Sequence, residues 1–358
     1  MKPRLTLVTH VDWGHIRQRP HQLAVALAAW YEVTVVSPVA RRRAHLIDNP
    51  APGLTLARIW RLPGSYRSAG VAEANAVLAA MQCGPQIRRA DVVAVTSPEL
   101  WPWVRSALGN RTLVYDCMDD ALAFEQADDV KALKAGWERE LLARSNAVVC
   151  SSDELASRAI DRGADSLRTT VVRNGWDDEA FPVAPSSPLP AHDPLELLYF
   201  GTIANWLDVD ALRALCALHP ALTIRLIGPG DDTQGIAAFP GLRIEPPVAH
   251  RKLSRVASHA HALLLPFRVD ALTRGVDPVK LYEYIALGKP IASAHWPALD
   301  RFADFVTFYR DADDLVRLFD ERALPLPPEF ERRAAFLGPQ SWRARGAAVR
   351  DAIAGASR

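Results

Sequence analysis

Short apolar runs alternate with amphipathic stretches from one end of this 358-residue chain to the other, and the alternation breaks once. Leu5–Val11, Glu32–Ser37, Leu54–Ile59, Asp91–Thr96, Thr112–Tyr115, Ala147–Ser151 and Thr169–Arg173 read as strands. Helical spacing fills most of the gaps, as in Arg17–Trp30, Ala69–Met81, Lys131–Arg144 and Asp153–Arg162. Strands apolar on both faces belong in a parallel sheet covered by helices. Strand–helix alternation is the doubly wound pattern. Pro182–Pro194 then carries five prolines, which neither a helix nor a central strand tolerates. Beyond it the pattern restarts, with strands at Leu195–Gly201, Leu222–Ile227, Leu242–Glu245, Ala262–Pro266, Pro290–Ala294 and Phe305–Tyr309. Helices are expected at Val209–Leu218, Arg251–Ser258, Pro278–Leu287, Pro297–Ala303 and Asp313–Glu321, and a last one at Trp342–Ile353. The expected fold class is α/β with two Rossmann-like domains facing a central cleft. Its divisions are 1–181, a linker at 182–194, a second domain at 195–340 and a C-terminal helix at 341–358 that is free to cross back to the first domain. Ligands of such sheets bind at the carboxyl ends of the strands.

Composition excludes several classes. Hydrophobic residues make up 49% and charged residues 23%, as in globular chains. A formal net charge of +1 gives no reason to expect nucleic acid as a partner. Cys83, Cys117, Cys150 and Cys216 have no zinc-ligand spacing and read as buried free thiols. The N-terminus runs straight into a strand, without the cleavage site of a signal peptide. No apolar run approaches the roughly 18–20 residues that span a bilayer. A cytoplasmic protein is expected, with at most peripheral contact with an inner membrane. Arg41–Arg43 read as a solvated loop, or as a contact for anionic lipid headgroups.

The sharpest segment is Asp277–Ile291, DPVKLYEYIALGKPI. Asp277 suits an N-cap, Pro278 a first helical residue, and Gly288 the helix end. A helix N-terminus offers N–H groups to an anion such as a diphosphate, here from Val279 and Lys280. A cation in the first turn opposes the helix dipole at a cost of roughly 0.3–1 kcal/mol, so Lys280 there suggests an anionic ligand. Glu283 shares a face with Lys280 and is placed to accept from ribose hydroxyls. A plain Lys280–Glu283 salt bridge on a solvated helix is the competing reading.

This segment resembles the donor-site helix of GT-B glycosyltransferases of the glycosyltransferase 4 family. It is most similar to a bacterial polysaccharide-biosynthesis subgroup, teichuronic-acid-type glycosyltransferases, whose members read PVKLYEYLAAGKP. Trp13–Leu23, Tyr115–Asp120 (YDCMDD), Asn174–Gly175, Tyr199–Ile203 and Pro266–Phe267 match in order and spacing. The resemblance implies that Glu283 binds the donor ribose and that Val279 and Lys280 hold the diphosphate. Two departures stand out. The wider family has a glutamate where this chain has Gly275, and an Arg and a Lys where Gly201–Asp208 has neither. Lys280, Arg274 or Arg19 must then supply positive charge.

Other candidates follow strand ends. Arg19 is expected to reach phosphate or an anionic acceptor. Trp13 and His15 are placed to contact a sugar, although His15 and His21 also read as ordinary polar residues. Asp119 and Asp120 are the candidates for orienting the acceptor hydroxyl or accepting its proton, with helix capping as the alternative; Asp116 reads as a cap. Asn174 is a candidate for acceptor or hinge contact, and Gly201 and Gly228 for the nucleotide side. Asp208-Val-Asp210 has metal-motif spacing but reads as a cap, and no metal and no cofactor is expected. The expected partners are a nucleotide-sugar donor and a glycan or lipid-linked acceptor. By the resemblance, transfer retains anomeric configuration, with domain closure excluding water. The alternatives are a sugar-nucleotide 2-epimerase on the same scaffold and a catalytically degenerate sugar-nucleotide-binding subunit.

Overall fold

The computed structural model describes residues 1–14, 16–39, 51, 53–230, 236 and 238–356; His15 and Arg41–Arg43 lie outside the described residues. The chain forms two compact units. Unit one is Met1–Asn174, Gly275–Asp277 and Trp342–Arg358, and unit two is Gly175–Arg274 and Pro278–Ser341.

Unit one runs β1 (Arg4–Val8), α1 (Arg19–Leu27), β2 (Glu32–Pro38), β3 (Leu54–Ile59), α2 (Ala69–Arg89), β4 (Val92–Val95), α3 (Trp101–Leu108), β5 (Thr112–Cys117), α4 (Asp128–Arg144), β6 (Ala147–Cys150), α5 (Asp153–Asp161) and β7 (Thr169–Val171). Its strands form one sheet in the order β3-β2-β1-β4-β5-β6-β7. Leu5–Val8 pair in parallel with Val33–Val36 on one side and Val92–Val95 on the other. Chain direction across the sheet reverses between β1 and β4, which makes that gap the topological switch point. Val8, Val36, Val93, Val95, Leu113 and Val148 form the core, which explains why these runs are apolar throughout. The helix expected to end at Met81 continues to Arg89 through Pro85. Proline costs a helix about 3 kcal/mol, but Cys83 and Ile87 are buried on either side of it and keep that turn on the sheet.

Unit two runs β8 (Glu196–Phe200), α6 (Val209–Leu218), β9 (Thr223–Ile227), β10 (Leu242–Glu245), α7 (His250–Ala257), β11 (Ala262–Leu265), α8 (Val279–Leu287), β12 (Ile291–Ala294), β13 (Thr307–Tyr309), α9 (Ala312–Asp320) and α10 (Phe330–Leu337). Its parallel sheet has the order β10-β9-β8-β11-β12-β13. The proline-rich stretch 182–194, expected to link the domains, belongs instead to this unit. Two of its amides are used there: Ala184 N donates to Ala286 O (2.7 Å) and Ser187 N to Gly288 O (2.8 Å). The Arg333 guanidinium, 1% exposed, donates to the carbonyls of Ala184, Ile285 and Ala286. An extended proline-rich chain can dock in this way because its carbonyls and few amides find fixed partners.

The last helix, α11 (Trp342–Ala356), clusters with unit one and packs on α1. Gly346 sets the closeness, since a Cβ there would lie 2.6 Å from the Ala26 Cβ. Arg350 covers the Trp30 ring at 4.9 Å. Gly346→Ala should therefore cost about 1–3 kcal/mol of overpacking, partly offset by about 1 kcal/mol of helix propensity. Gly136→Ala in α4, with nothing within 4 Å of the added Cβ, should instead stabilise by up to about 1 kcal/mol. Denaturant titration of the two variants checks the pair, and equal effects would contradict the α1–α11 packing.

Candidate functional site

In unit two, three of the sequence candidates meet. Gly201 follows β8 and Gly228 follows β9. A Cβ on Gly228 would lie 1.8 Å from the Gly201 carbonyl oxygen, so the two backbones touch. Gly201 has φ +138, and its own Cβ would lie 2.0 Å from Lys280 Cε. Glycine is required at both positions, at the first for conformation and space and at the second for space. The Lys280 stem crosses that gap, and its ammonium stands 5.5 Å from the Tyr199 ring centroid and 5.8 Å from that of Phe267. Aromatic faces hold a cation without consuming its charge. Lys280 is half-buried in the first turn of α8.

The helix start differs by one residue from the expected one. Pro278 is the N-cap and Val279 the first helical residue. The Val279 amide has no acceptor within the helix. Gly288 at φ 64 ends it in the left-handed conformation expected of a C-terminal glycine. Arg274 is exposed in the turn after β11, in the segment Thr273–Gly275. Glu283, 5% exposed, accepts from His250 Nε2 at 2.9 Å. His250 opens α7, and its Nδ1 lies 3.6 Å from Asp177 Oδ2, with the Phe181 ring edge-on at 5.2 Å. His250 thereby aims the Glu283 carboxylate through Oε1 while Oε2 retains acceptor capacity. The sequence reading overlooked His250, because a histidine at the start of a short helix carries no distinguishing spacing.

In unit one, Arg19 does not serve as a presented phosphate ligand. Its Nε and Nη2 bind Asp116 bidentately at 2.8–3.1 Å, and its Nη1 donates to Asn174 Oδ1 at 3.1 Å. Arg19 is 2% and Asp116 4% exposed, so the planar guanidinium is matched and enclosed. Asn174 is equally committed. Its backbone N donates to Asp277 Oδ2 at 2.6 Å, its Nδ2 to Asp277 O at 2.5 Å, and its carbonyl accepts from Arg345 Nε at 3.0 Å. Asp277 therefore braces Asn174 rather than capping α8, and Asp116 is an ion-pair partner rather than a cap. Gly275 packs against Leu155, 3.2 Å from a would-be Cβ, and its carbonyl accepts from Ser152 Oγ. A glutamate at this position would have to displace Leu155.

Asp120 is likewise spent. Arg158 and Arg162 both bind its carboxylate at 2.8–2.9 Å, and Leu122 N donates to Oδ1. Burial alone would raise its pKa, but the hydrogen bonds and charge of Arg162 and Arg158 hold it below the ordinary value. A carboxylate so stabilised is a poor base. Asp119 beside it is half-buried. Asp208 does cap α6, accepting from Ala211 N at 3.1 Å. Among the described residues, no three His, Cys, Asp or Glu side chains come together in a way that could hold a metal ion. All four cysteines are buried free thiols.

The unit-one switch point holds a group that sequence spacing did not reveal. His10 follows β1, and Thr96 and Glu99 follow β4. His10 Nδ1 lies 3.1 Å from Thr96 Oγ1, which itself donates to Thr9 Oγ1 at 3.2 Å. With that proton given to Thr9, the Thr96 oxygen accepts from Nδ1–H, and Nε2 keeps its lone pair. Burial lowers the His10 pKa, against the opposing pull of Glu99. Burial would raise Glu99, but Lys134 (3.0 Å), His10 and Arg61 (3.3 Å) bring it down to about 2. The result is a neutral imidazole beside a compensated carboxylate, at the position where such sheets bind ligands.

Trp13 is 4% exposed and stacks on His21 at 4.2 Å, so it is packed into the unit rather than presented to solvent. Its indole N–H is buried without a hydrogen-bond partner.

Residues 14–175 match the profile of the glycosyl transferase 4-like domain. A candidate teichuronic acid biosynthesis glycosyltransferase of Bacillus subtilis (strain 168), TuaH, is 24% identical over 184 residues. That match covers 48% of this chain and 45% of the relative, so it spans less than half of that protein. Among solved structures, sucrose-phosphate synthase from Thermosynechococcus elongatus is similar with a TM-score of 0.76 at 16% identity, covering 98% of both chains. Anabaena HepE in complex with UDP and glucose gives 0.69 at 12% identity, covering 98% of this chain and 99% of that one. The α,α-trehalose 6-phosphate synthase of Burkholderia multivorans gives 0.66 at 11%, covering 100% and 99%. The architecture is therefore GT-B, two Rossmann-like α/β domains.

The α1 start carries its own pH signature. His21, 2% exposed, accepts from Gln18 N at Nδ1 and donates from Nε2 to Trp13 O, both at 3.1 Å. Burial lowers its pKa from 6.5 to about 4. The unfolded chain then binds the proton first as pH falls, so this contribution is complete above pH 6.5 and is lost between 6.5 and about 4. It amounts to about 3 kcal/mol. His21→Gln should flatten the fall of stability over that window, read from denaturation midpoints at a series of pH values. An unchanged slope would contradict the assignment.

Proposed function

We propose that this chain transfers a sugar from a nucleoside-diphosphate sugar to a hydroxyl of a glycan or lipid-linked acceptor in polysaccharide biosynthesis, retaining anomeric configuration. The observation that carries the reading is the start of α8. There Lys280 rests on two aromatic rings across the Gly201–Gly228 contact, one helical turn before the His250-aimed carboxylate of Glu283. A cation, helix-start amides and a carboxylate on one helix suit a diphosphate followed by a ribose diol. Glu283 binds the ribose hydroxyls through Oε2, Lys280 and the Val279 amide bind the diphosphate, and Arg274 adds charge from the preceding turn.

In the reaction the bond from the anomeric carbon to the β-phosphate oxygen breaks as the acceptor oxygen bonds to that carbon. The acceptor proton passes to the departing phosphate or to a neighbouring base. Stabilising the leaving diphosphate is the main task of Lys280 and the helix start. Asp119 and His10 Nε2 are the groups on unit one suited to orient the acceptor hydroxyl; Asp120 and Arg19 hold structure instead.

A thermal-shift screen of UDP-, GDP-, ADP- and dTDP-sugars tests this reading, since a ligand of the folded state raises the melting temperature. One nucleotide class should stabilise the wild type. Glu283→Ala, which loses a charge-assisted hydrogen bond, should weaken that binding about 10–100-fold, and Lys280→Ala should weaken it comparably. Release of nucleoside diphosphate should then require an acceptor hydroxyl. Absence of any shift would end the donor-site assignment, and conversion of the donor without acceptor would favour an epimerase.

A further inference from the structure

We infer that His10 is the catalytic base toward the acceptor, taking its hydroxyl proton at Nε2, and that Thr96 and Glu99 are positioning residues that set the tautomer and the basicity of that imidazole. The inference deepens the sugar-transfer reading and rests on it. β1 and β4 are neighbours, with Val8 beside Val95, so the residues that follow them meet at the carboxyl end of the sheet. That end of the gap between β1 and β4 is where ligands of such sheets bind. His10 leaves β1 there, half-buried, and Thr96, 3% exposed, leaves β4.

A line of hydroxyls fixes the ring. Thr9 Oγ1, on a residue 0% exposed, accepts from Val11 N at 3.1 Å and from Thr96 Oγ1 at 3.2 Å. The Thr96 hydroxyl has then given its proton away, and its lone pairs turn to His10 Nδ1 at 3.1 Å. Nδ1 thus carries the hydrogen and Nε2 the lone pair. A histidine kept for packing alone has no need of two buried hydroxyls that select its tautomer.

Charge reaches the ring from three other elements. Glu99 comes from the turn Pro98–Leu100 after β4, Lys134 from α4, and Arg61 from the chain after β3. Lys134 Nζ stands 3.0 Å and Arg61 Nη1 3.3 Å from the Glu99 carboxylate, which stays ionised. Burial lowers the His10 pKa most; Glu99 pulls it up, and Arg61 and Lys134 push it down again. The imidazole is therefore neutral at pH 7, as a base must be, while Glu99 is at hand to stabilise the imidazolium that forms. In the step, the acceptor O–H bond breaks and its proton passes to Nε2. The freed oxygen pair bonds to the anomeric carbon, and the pair of the bond from that carbon to the phosphate oxygen leaves on the diphosphate. The imidazolium then returns its proton to water, so no further reactant is consumed.

Long-range proton–nitrogen NMR of the full chain reads the ring directly, with His10→Gln to assign its signals. The wild type should show a neutral imidazole protonated at Nδ1 and titrating below pH 6.5. Glu99→Gln should move that midpoint further down and Lys134→Gln should move it up, opposite signs that a purely structural role does not produce. Thr96→Val should lose the tautomer preference and Thr96→Ser should restore it. Turnover is read as release of nucleoside diphosphate from whichever of the UDP-, GDP-, ADP- and dTDP-sugars stabilises the chain, with a panel of methyl glycosides as acceptors. His10→Gln should lower kcat about 100-fold or more, with donor affinity unchanged, and the acidic limb of the wild-type pH profile should shift in Glu99→Gln and Lys134→Gln as the NMR midpoints do. Should Glu99→Gln fail to fold, Lys134→Gln and the wild-type tautomer still decide. A ring protonated at Nε2, midpoints that do not move apart, or a wild-type rate in His10→Gln would each overturn this role alone. So would an acidic limb that vanishes in Asp119→Asn and persists in His10→Gln, which would assign the proton to that carboxylate. Absence of binding by every donor would instead end the sugar-transfer reading, and this role with it, whatever the ring shows.

Discussion

The buried pair of Arg19 and Asp116 is the interaction on which unit one depends. It joins the start of α1 to the end of β5 and passes through Asn174 to Asp277 and Arg345. An enclosed ion pair is no great source of net stability, but removing one partner strands the other at a cost of about 3–5 kcal/mol. The polar side-chain atoms of Arg19, Asp116 and Asn174 are all answered, and they come from segments far apart in sequence. The network therefore fixes where the loops after β1 and β5 sit, and with them the His10 and Asp119 surfaces.

The organisation of unit two rests on a different economy. Space helps to position its lysine, because the Gly201 and Gly228 backbones touch, the lysine stem lies where a Gly201 Cβ would be, and two aromatic rings lie beside the head. The carboxylate one turn later is oriented by an imidazole, which engages one of its two oxygens. In unit one, by comparison, the Arg19 and Asp120 side chains are held by two or more partners each.

Much of this was legible beforehand. Among the described residues, apolar runs locate the thirteen strands within a few residues, most sharply the central ones, which are buried on both faces. Lys280 and Glu283 could also be singled out, because chemistry and helix-terminus rules point at the same short segment. What failed was assigning partners. A sequence cannot reveal that the Asp116 carboxylate lies within reach of Arg19, or that Arg158 and Arg162 converge on Asp120, because those distances depend on how helices seat on the sheet. Proline content was read as a domain boundary at 182–194, although docked carbonyls can anchor such a stretch as firmly as a strand. His10 and His250 gave no signal, since a single histidine acquires meaning only through its neighbours.

The path of the chain has a consequence for biogenesis. Unit one takes its final helix from residues 342–356 and a bracing segment from residues 275–277, whereas unit two is nearly continuous. A ribosome releases the first sheet well before the α11 that covers α1. The usual order, in which the N-terminal domain is complete before the next begins, is thus denied to this protein. Its first unit must wait with the α1 face uncovered until the whole of unit two has been made, which exposes that unit, rather than the second, to misassembly and to chaperones for longest.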